Sequence, residues 1–268
     1  MSSLPIVLEP TQLAALLAQP NQLLLVDLSS DANYQQGHID GAVHVPPQLL
    51  LVNQPPVPGK IASVAQLNRL FSFLGLTPDT HVVVYDDEGG GWAGRFIWTL
   101  DAIGHKRYSY LNGGLHAWKA SKLPLTTEIP AVKPSQVSVT LDPAVVIEIP
   151  DILCELDKAD FLVWDARSPA EYHGRRGSTP KLGHIPGAIN CEWTNLMNPD
   201  MGLRIRDDAR EYLAEQGITE NKRIITHCQS HHRSGFTYLV GKALGFNIRA
   251  YHGSWAEWGS DSKTPVEV

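Results

Sequence analysis

The sequence predicts an α/β fold made twice, as two similar domains that are each a mostly parallel sheet with helices on both faces. Three observations carry this. Short apolar, β-branched runs alternate with segments of helical periodicity along the chain. The same series of runs occurs twice in the same order. A length of 268 residues is enough for two domains of ordinary size, each closing its own core. The expected division is an N-terminal domain over 1–128, a linker over 129–142 and a C-terminal domain over 143–268.

In the first half, Leu23 to Asp27 (LLLVD) reads as a buried strand and leads to His38-Ile39-Asp40-Gly41-Ala42. In the second, Phe161 to Asp165 (FLVWD) leads to His184-Ile185-Pro186-Gly187-Ala188. Ser63 to Leu74 places Leu67, Leu70, Phe71 and Leu74 on one helical face ahead of Gly75, and its counterpart runs from about Asp207 to Gln216 ahead of Gly217. His81 to Tyr85 (HVVVY) and the helix Phe96 to Ile103 match a strand over Arg223 to His227 and the helix that follows it. In that second helix Phe236, Leu239, Val240, Ala243 and Leu244 fall on one stripe, with Gly245 as the stop. Leu111 to Trp118 answers Tyr251 to Trp258. Thr126 to about Asp142, which contains Pro130 and Pro134 and has little periodicity, reads as the connection. Each unit is far longer than a solenoid repeat of ~20–50 residues, so two domains are expected.

The duplication separates what the fold needs from what chemistry needs. Asp27 and Asp165, and His38 and His184, occur in both copies, so His184 reads as a structural histidine. Cys228 occurs in one copy only. Its place in the first is taken by Asp86, in the loop Asp86-Asp87-Glu88-Gly89-Gly90-Gly91-Trp92. Carboxylates repel anions and are poor sulfur nucleophiles, so the N-terminal copy is expected to be catalytically inactive. An acidic, glycine-containing loop also has the composition of a metal site, but spacing fixes no further ligands, and no metal is expected.

Cys228 sits where a buried strand hands over to a helix N-terminus. A free thiol has a pKa of about 8.5 and becomes a useful nucleophile when its surroundings favour the thiolate. Unpaired N–H groups in the first helical turn, the positive end of the helix dipole and a loop that aims further N–H groups inward all do so. Arg233, five residues on, adds a cation that does not deprotonate. The frame His-Cys-x4-Arg-Ser is a cradle for an anion with a thiolate at its centre.

This loop, Cys228-Gln229-Ser230-His231-His232-Arg233 between strand and helix, together with the duplication, resembles the rhodanese family of sulfurtransferases, specifically its tandem-domain bacterial members. The resemblance spans nearly the whole chain. It implies that Cys228 is catalytic. Its thiolate would take the outer sulfur of thiosulfate or a related donor, release sulfite and pass the sulfur from a persulfide to cyanide or another thiophile, with no cofactor. The persulfide-binding loop would be Gln229, Ser230, His231, His232 and Arg233. Arg167 and Trp193 are candidates for the pocket. In the family an arginine after this strand braces or electrifies the site; read from residues alone, Arg167 is as well explained by an ion pair with Glu171. Some family members that use thiosulfate carry a second arginine where Glu171 stands and a lysine within the loop, so these departures count against a tight grip on thiosulfate.

Phosphatases and arsenate-reducing enzymes use a related loop in the pattern His-Cys-x5-Arg. With x4 the ring of N–H groups is narrower and favours a sulfur atom over a tetrahedral oxyanion. A non-turnover persulfide carrier delivering sulfur to a partner protein would load on the same cysteine. A zinc site at Cys228, His231 and His232 lacks a second ligand pair and has Arg233 beside it. Cys191, matched by Val45 in the first copy, and Cys154 read as buried structural thiols. Trp193 just past Cys191, and Arg175, Arg176 and Lys181 upstream, flank the site, the last three as anion-drawing or merely solvated charges. A net charge of −6 with no polybasic run speaks against nucleic acid or a membrane surface as partner. The expected partners are a small anionic donor and a thiophilic acceptor, with a sulfur-acceptor protein as a further candidate, and the expected state is a monomer. The chain start shows no secretion signal and its three cysteines form no disulfide pattern, so the expected compartment is the cytoplasm.

Overall fold

The computed structural model describes residues 4–19 and 22–268; the first three residues, part of the stretch searched for a secretion signal, lie outside them. In chain order the first half contains β1 (Val7–Leu8), α1 (Pro10–Leu17), β2 (Leu23–Asp27), α2 (Asp31–Gln36), β3 (Ala42–His44), α3 (Val64–Phe73), β4 (His81–Tyr85), α4 (Gly91–Ala102), β5 (Tyr108–Leu111) and α5 (Gly114–Ala120). The second contains β6 (Val146–Ile147), α6 (Ile149–Leu153), β7 (Phe161–Asp165), α7 (Pro169–Tyr172), β8 (Ile189–Asn190), β9 (Met197–Asn198), β10 (Arg204–Ile205), α8 (Ala209–Glu215), β11 (Arg223–His227), α9 (Arg233–Ala243), β12 (Asn247–Tyr251) and α10 (Ser254–Trp258).

The two five-stranded sheets have equivalent orders, β1-β5-β4-β2-β3 and β6-β12-β11-β7-β8, and every pairing in them is parallel. β9 and β10 form a separate antiparallel pair. Strands covered on both faces must be apolar throughout, which is why Val82, Val83 and Val84 in β4, and Ile224 and Ile225 in β11, are all buried. The outer face of each sheet has its own core, around Leu13, Leu25 and Val83 in the first domain and Ile152, Val163 and Ile225 in the second. The inner faces share one cluster that runs from Val84, Phe96 and Trp98 to Ile224, Phe236 and Leu239.

The shared core brings α4 against α9, the helices that follow β4 and β11. Glycine makes this possible. A Cβ on Gly94 would lie 2.1 Å from the carbonyl oxygen of Gly235, and one on Gly235 would lie 2.5 Å from the Arg95 nitrogen, so any side chain there would push the helices apart. Further along, the buried carboxylate of Asp101 in α4 accepts from Tyr108 (2.8 Å), Lys106 (2.8 Å) and, across the interface, Tyr238 (2.6 Å), with Lys242 3.3 Å away. A buried acid with this many donors ties the domains together, since removing it would orphan several of them.

The proline-containing connection is irregular, as its composition suggests, but it lies along the first domain. Ser135 N donates to Ser72 O (2.9 Å), Val137 N to Ser72 Oγ (2.9 Å), Val139 N to Asn68 Oδ1 (2.8 Å) and Asp142 N to Ala102 O (2.8 Å). His38 and His184 are built alike: each ring stacks on a tyrosine, Tyr34 at 3.8 Å and Tyr172 at 3.7 Å, and bonds that tyrosine's carbonyl through Nδ1. Cys191 is buried, whereas Cys154 caps the short α6 and is exposed, with its thiol on Asp151 O. The expectation of a buried Cys154 is therefore corrected: α6 is too short to draw its C-terminal turn under the sheet.

Candidate active site

Cys228 follows β11 directly, at the carboxyl end of a central parallel strand, where open α/β sheets place their ligand crevices. Its backbone is pinned to the start of α10: Trp255 N donates to Cys228 O (2.9 Å), and Cys228 N donates to Ser254 Oγ (3.4 Å). The first domain repeats the link from Leu115 N to Asp86 O (2.9 Å). Cys228 is 1% exposed. Burial pushes its thiol up, but the charge of Arg233, the Ser234 hydroxyl and the N–H groups of Ser234 and Ser230 outweigh this and hold it below its ordinary value. The Ser234 hydroxyl also meets His231 Nδ1 at 2.8 Å, so imidazole, hydroxyl and sulfur form a chain. Burial, followed by the charge of Arg95 and neighbouring histidines, drives His231 well down, and the ring is neutral at physiological pH.

The Asp86 loop shows what the ring of amides is for. Asp86 Oδ1 accepts from the N–H groups of Glu88 (3.2 Å), Gly89 (3.1 Å) and Gly90 (2.8 Å), and Oδ2 accepts from Ala93 (3.0 Å). Burial and Glu88 push this acid up to about 6 against those donors. A fixed carboxylate fills the cradle that in the second domain surrounds sulfur. The other two acids of that loop point elsewhere, Asp87 to Ser30 and Asn33, and Glu88 across the interface to His232.

Arg233 opens α9 and grips Glu171 with both terminal nitrogens, at 2.7 and 2.8 Å. Glu171 is aimed by the capping box of α7, where Ser168 Oγ donates to it at 2.8 Å. Burial would raise Glu171, but Arg233 and Ser168 bring it down to about 2. The expected Arg167–Glu171 pair does not form. Arg167 instead forks onto Asp165 (2.6–3.0 Å), donates to Gly183 O (2.7 Å) and lies 4.3 Å over the Trp255 ring. At 1% exposure it braces the sheet end and does not line the pocket; its side chain is short of Glu171 because Asp165, two residues back, captures it first.

A cleft of about 510 Å³ opens over the loop, lined among others by Ser168, Glu171, Arg176, Glu192, Gln229 and Arg233. Trp193 is not in that wall. Its ring meets His232 at 5.6 Å and Phe236 at 6.2 Å, packing the loop from the side. Lys181 is drawn to Thr264, 2.6 Å from its carbonyl, and is no anion funnel. His231 is not at the mouth but fully buried, edge-on to Trp98 of the first domain at 4.6 Å. His232 packs on Trp92 at 4.4 Å.

Two relatives match along the whole chain. The chain is 52% identical over 268 residues to the thiosulfate sulfurtransferase of Azotobacter vinelandii, covering 100% of this chain and 98% of that one. It is 53% identical over 270 residues to the thiosulfate sulfurtransferase of Pseudomonas aeruginosa, with the same coverages of 100% and 98%. A more distant relative, the sulfur carrier protein TtuD of Thermus thermophilus, is 32% identical over 247 residues, 87% of this chain and 86% of that one. A rhodanese-like domain model matches residues 9–121 and again 151–261. The chain belongs to the rhodanese family. Its two rhodanese domains meet through α4 and α9, and the cysteine loop of one is walled by residues of the other.

Those wall residues were missed from the sequence, as were Ser234 and Ser254. Ser234 was within reach, standing beside Arg233 in the quoted frame. Glu88, Trp92 and Trp98 carry no local signal that they face the other domain. Of these contacts the Glu88–His232 pair is testable by pH. Burial disfavours the imidazolium, but Glu88 and the thiolate raise its pKa above the ordinary value. A raised folded value means that the charge's contribution to stability is full below about pH 6.5 and fades as pH rises through the folded pKa. Chemical denaturation at pH 6 and pH 9 should therefore show native protein more stable than His232→Gln by about 1 kcal/mol at pH 6, with the gap closing at pH 9.

Proposed function

We propose that this chain moves a sulfane sulfur from thiosulfate or a related donor to cyanide or another thiophile through a persulfide on Cys228. The observation that carries the reading is a fully buried thiol held below its ordinary pKa at the head of α9. The Cys228 thiolate attacks the outer sulfur of thiosulfate, a sulfur–sulfur bond forms, and the bond to the sulfite sulfur breaks with its electron pair leaving as sulfite. The persulfide's negative charge rests on the N–H groups of Ser230 and Ser234, the Ser234 hydroxyl and Arg233. A thiophile then attacks the outer sulfur, returning Cys228 as thiolate. No proton, electron or cofactor is needed to balance either step. Gln229 lines the cleft over the loop, and the neutral His231 holds Ser234 in place.

Because both terminal nitrogens of Arg233 are engaged by Glu171, little of its fork is left for the sulfonate end of thiosulfate. This supports weak binding of the donor. The sulfur carrier relative supports an acceptor protein as a second class of partner, reached through the same cleft. Free thiols suit a reducing compartment, and we place the chain in the cytoplasm. Among the described residues no helix is long and apolar enough to cross a membrane.

Steady-state rates with thiosulfate and cyanide varied together should give parallel double-reciprocal lines, the pattern of a covalent intermediate. Stoichiometric loading without turnover would make the chain a carrier, and vigorous hydrolysis of an aryl phosphate would make it a phosphatase.

A further inference from the structure

The back of the Cys228 loop is closed by the N-terminal domain. Arg95, in α4, is 0% exposed. Its Nη1 donates to the carbonyl of His231 at 3.3 Å and its Nη2 to the carbonyl of Gly59 at 3.0 Å, while Nε has no partner. The guanidinium lies 4.8 Å from the centre of the Trp98 ring, and that ring meets His231 edge-on. Gly59 is pressed against the loop from the same side: a Cβ there would come within 2.8 Å of Ser230 Cβ. Gly59, Arg95 and Trp98 are thus one wall, touching Ser230 and His231, two and three residues from the sulfur.

Both acceptors of Arg95 are neutral carbonyls, and among the described residues no carboxylate pairs with it. An unpaired buried cation is strongly disfavoured. Burial pulls Arg95 down to about 9, and the negative charge of Cys228 acts against that fall. The other charged groups around it are already matched. Lys60 pairs with Glu148 and Glu257, Arg233 with Glu171, and His232 with Glu88. Arg95 also faces His231 and His252; burial comes first in lowering both, and the guanidinium's charge adds to it. Arg95 is thus a buried cation with no matching acid, held on the loop that carries the Cys228 thiolate.

We propose that Arg95 is a positioning residue for the Cys228 reaction, lent by the N-terminal domain: it fixes the His231 carbonyl and supplies a second positive charge that favours the Cys228 thiolate and its persulfide. The persulfide clause rests on the function proposed above; the thiolate clause does not. The catalytically silent domain then has a part in the chemistry, and Arg95 differs from Arg233 in having no acid competing for its charge.

The test is the pH dependence of Cys228 carbamidomethylation in the full chain, read on the Cys228 peptide so that Cys154 does not contribute. Arg95→Met should move the midpoint up by about one pH unit, and Arg95→Lys should stay near native. A folded Arg95→Met protein, judged by near-ultraviolet circular dichroism, whose midpoint matches native would overturn the proposal. If Arg95→Met does not fold, the native chain decides. With arginine 15N labelling and Arg95→Lys for assignment, the Arg95 Nε–H resonance should shift when Cys228 is carbamidomethylated, and an unmoved resonance would overturn the proposal. The two readings fail separately. A shifted midpoint in a chain that transfers no sulfur removes the proposed function and leaves Arg95, whereas sulfur transfer with an unshifted midpoint removes Arg95 and leaves the function.

Discussion

Cys228→Ala is expected to lower thiosulfate:cyanide turnover by at least ~10⁴-fold, because a covalent route has no substitute once its nucleophile is gone. The other thiols offer no bypass. Cys191 is 2% exposed, and burial pushes its thiol up to about 12, so at neutral pH almost none of it is ionised. Cys154 is exposed on α6, bonded to Asp151 O and outside the amide ring. Cys191→Ala should therefore retain activity within a few-fold, a contrast that separates loss of the nucleophile from loss of a thiol. Initial rates of thiocyanate formation measure both.

Arg233→Ala is expected to reduce kcat/KM by about 100-fold and to raise the pH midpoint of Cys228 alkylation, since an opposite charge at close range shifts a thiol by one to three units. Two effects act together. The cation that lowers the thiol is lost, and Glu171, released from its fork, becomes an uncompensated anion at the cleft. The double variant Arg233→Ala with Glu171→Gln removes the second effect and should recover part of the loss. A lysine in place of Arg233 keeps the charge but loses the bidentate grip, and should fall between the two. Rates and alkylation profiles that stay native in Arg233→Ala would leave the cation no part in the chemistry.

What could be read from the sequence was local. Strand, loop and helix around Cys228 lie within one contiguous stretch, so β-branched burial, turn and helical stripe announce themselves together. The duplication was legible for the same reason, since HVVVY and RIITH occupy equivalent central strands. In the first copy the Asp86 carboxylate occupies the amide ring, and an inactive first copy is the expectation that follows from an acid standing where the second copy has Cys228. What escaped notice depends on packing between the halves. Arg95 sits among Ala93, Phe96 and Trp98, and a charge in so apolar a run is itself a signal, but its partners are 36 and 136 residues away in sequence. The glycines that let α4 touch α9 are ordinary in isolation; Gly94 and Gly235 acquire meaning only as a pair. Of the two readings of Arg167 the bracing one agrees with its place at the sheet end, while the pair with Glu171 fails because Arg167 takes the nearer acid, Asp165, and Glu171 turns to Arg233.

A single sulfur atom is expected to be added to Cys228 and nowhere else. Intact-protein mass spectrometry after thiosulfate treatment tests it directly, on the native chain and on Cys228→Ala and Cys191→Ala. One added sulfur, about 32 Da, is expected in the native and Cys191→Ala proteins and none in Cys228→Ala. Sulfur retained by Cys228→Ala, or missing from the native chain, would contradict the account.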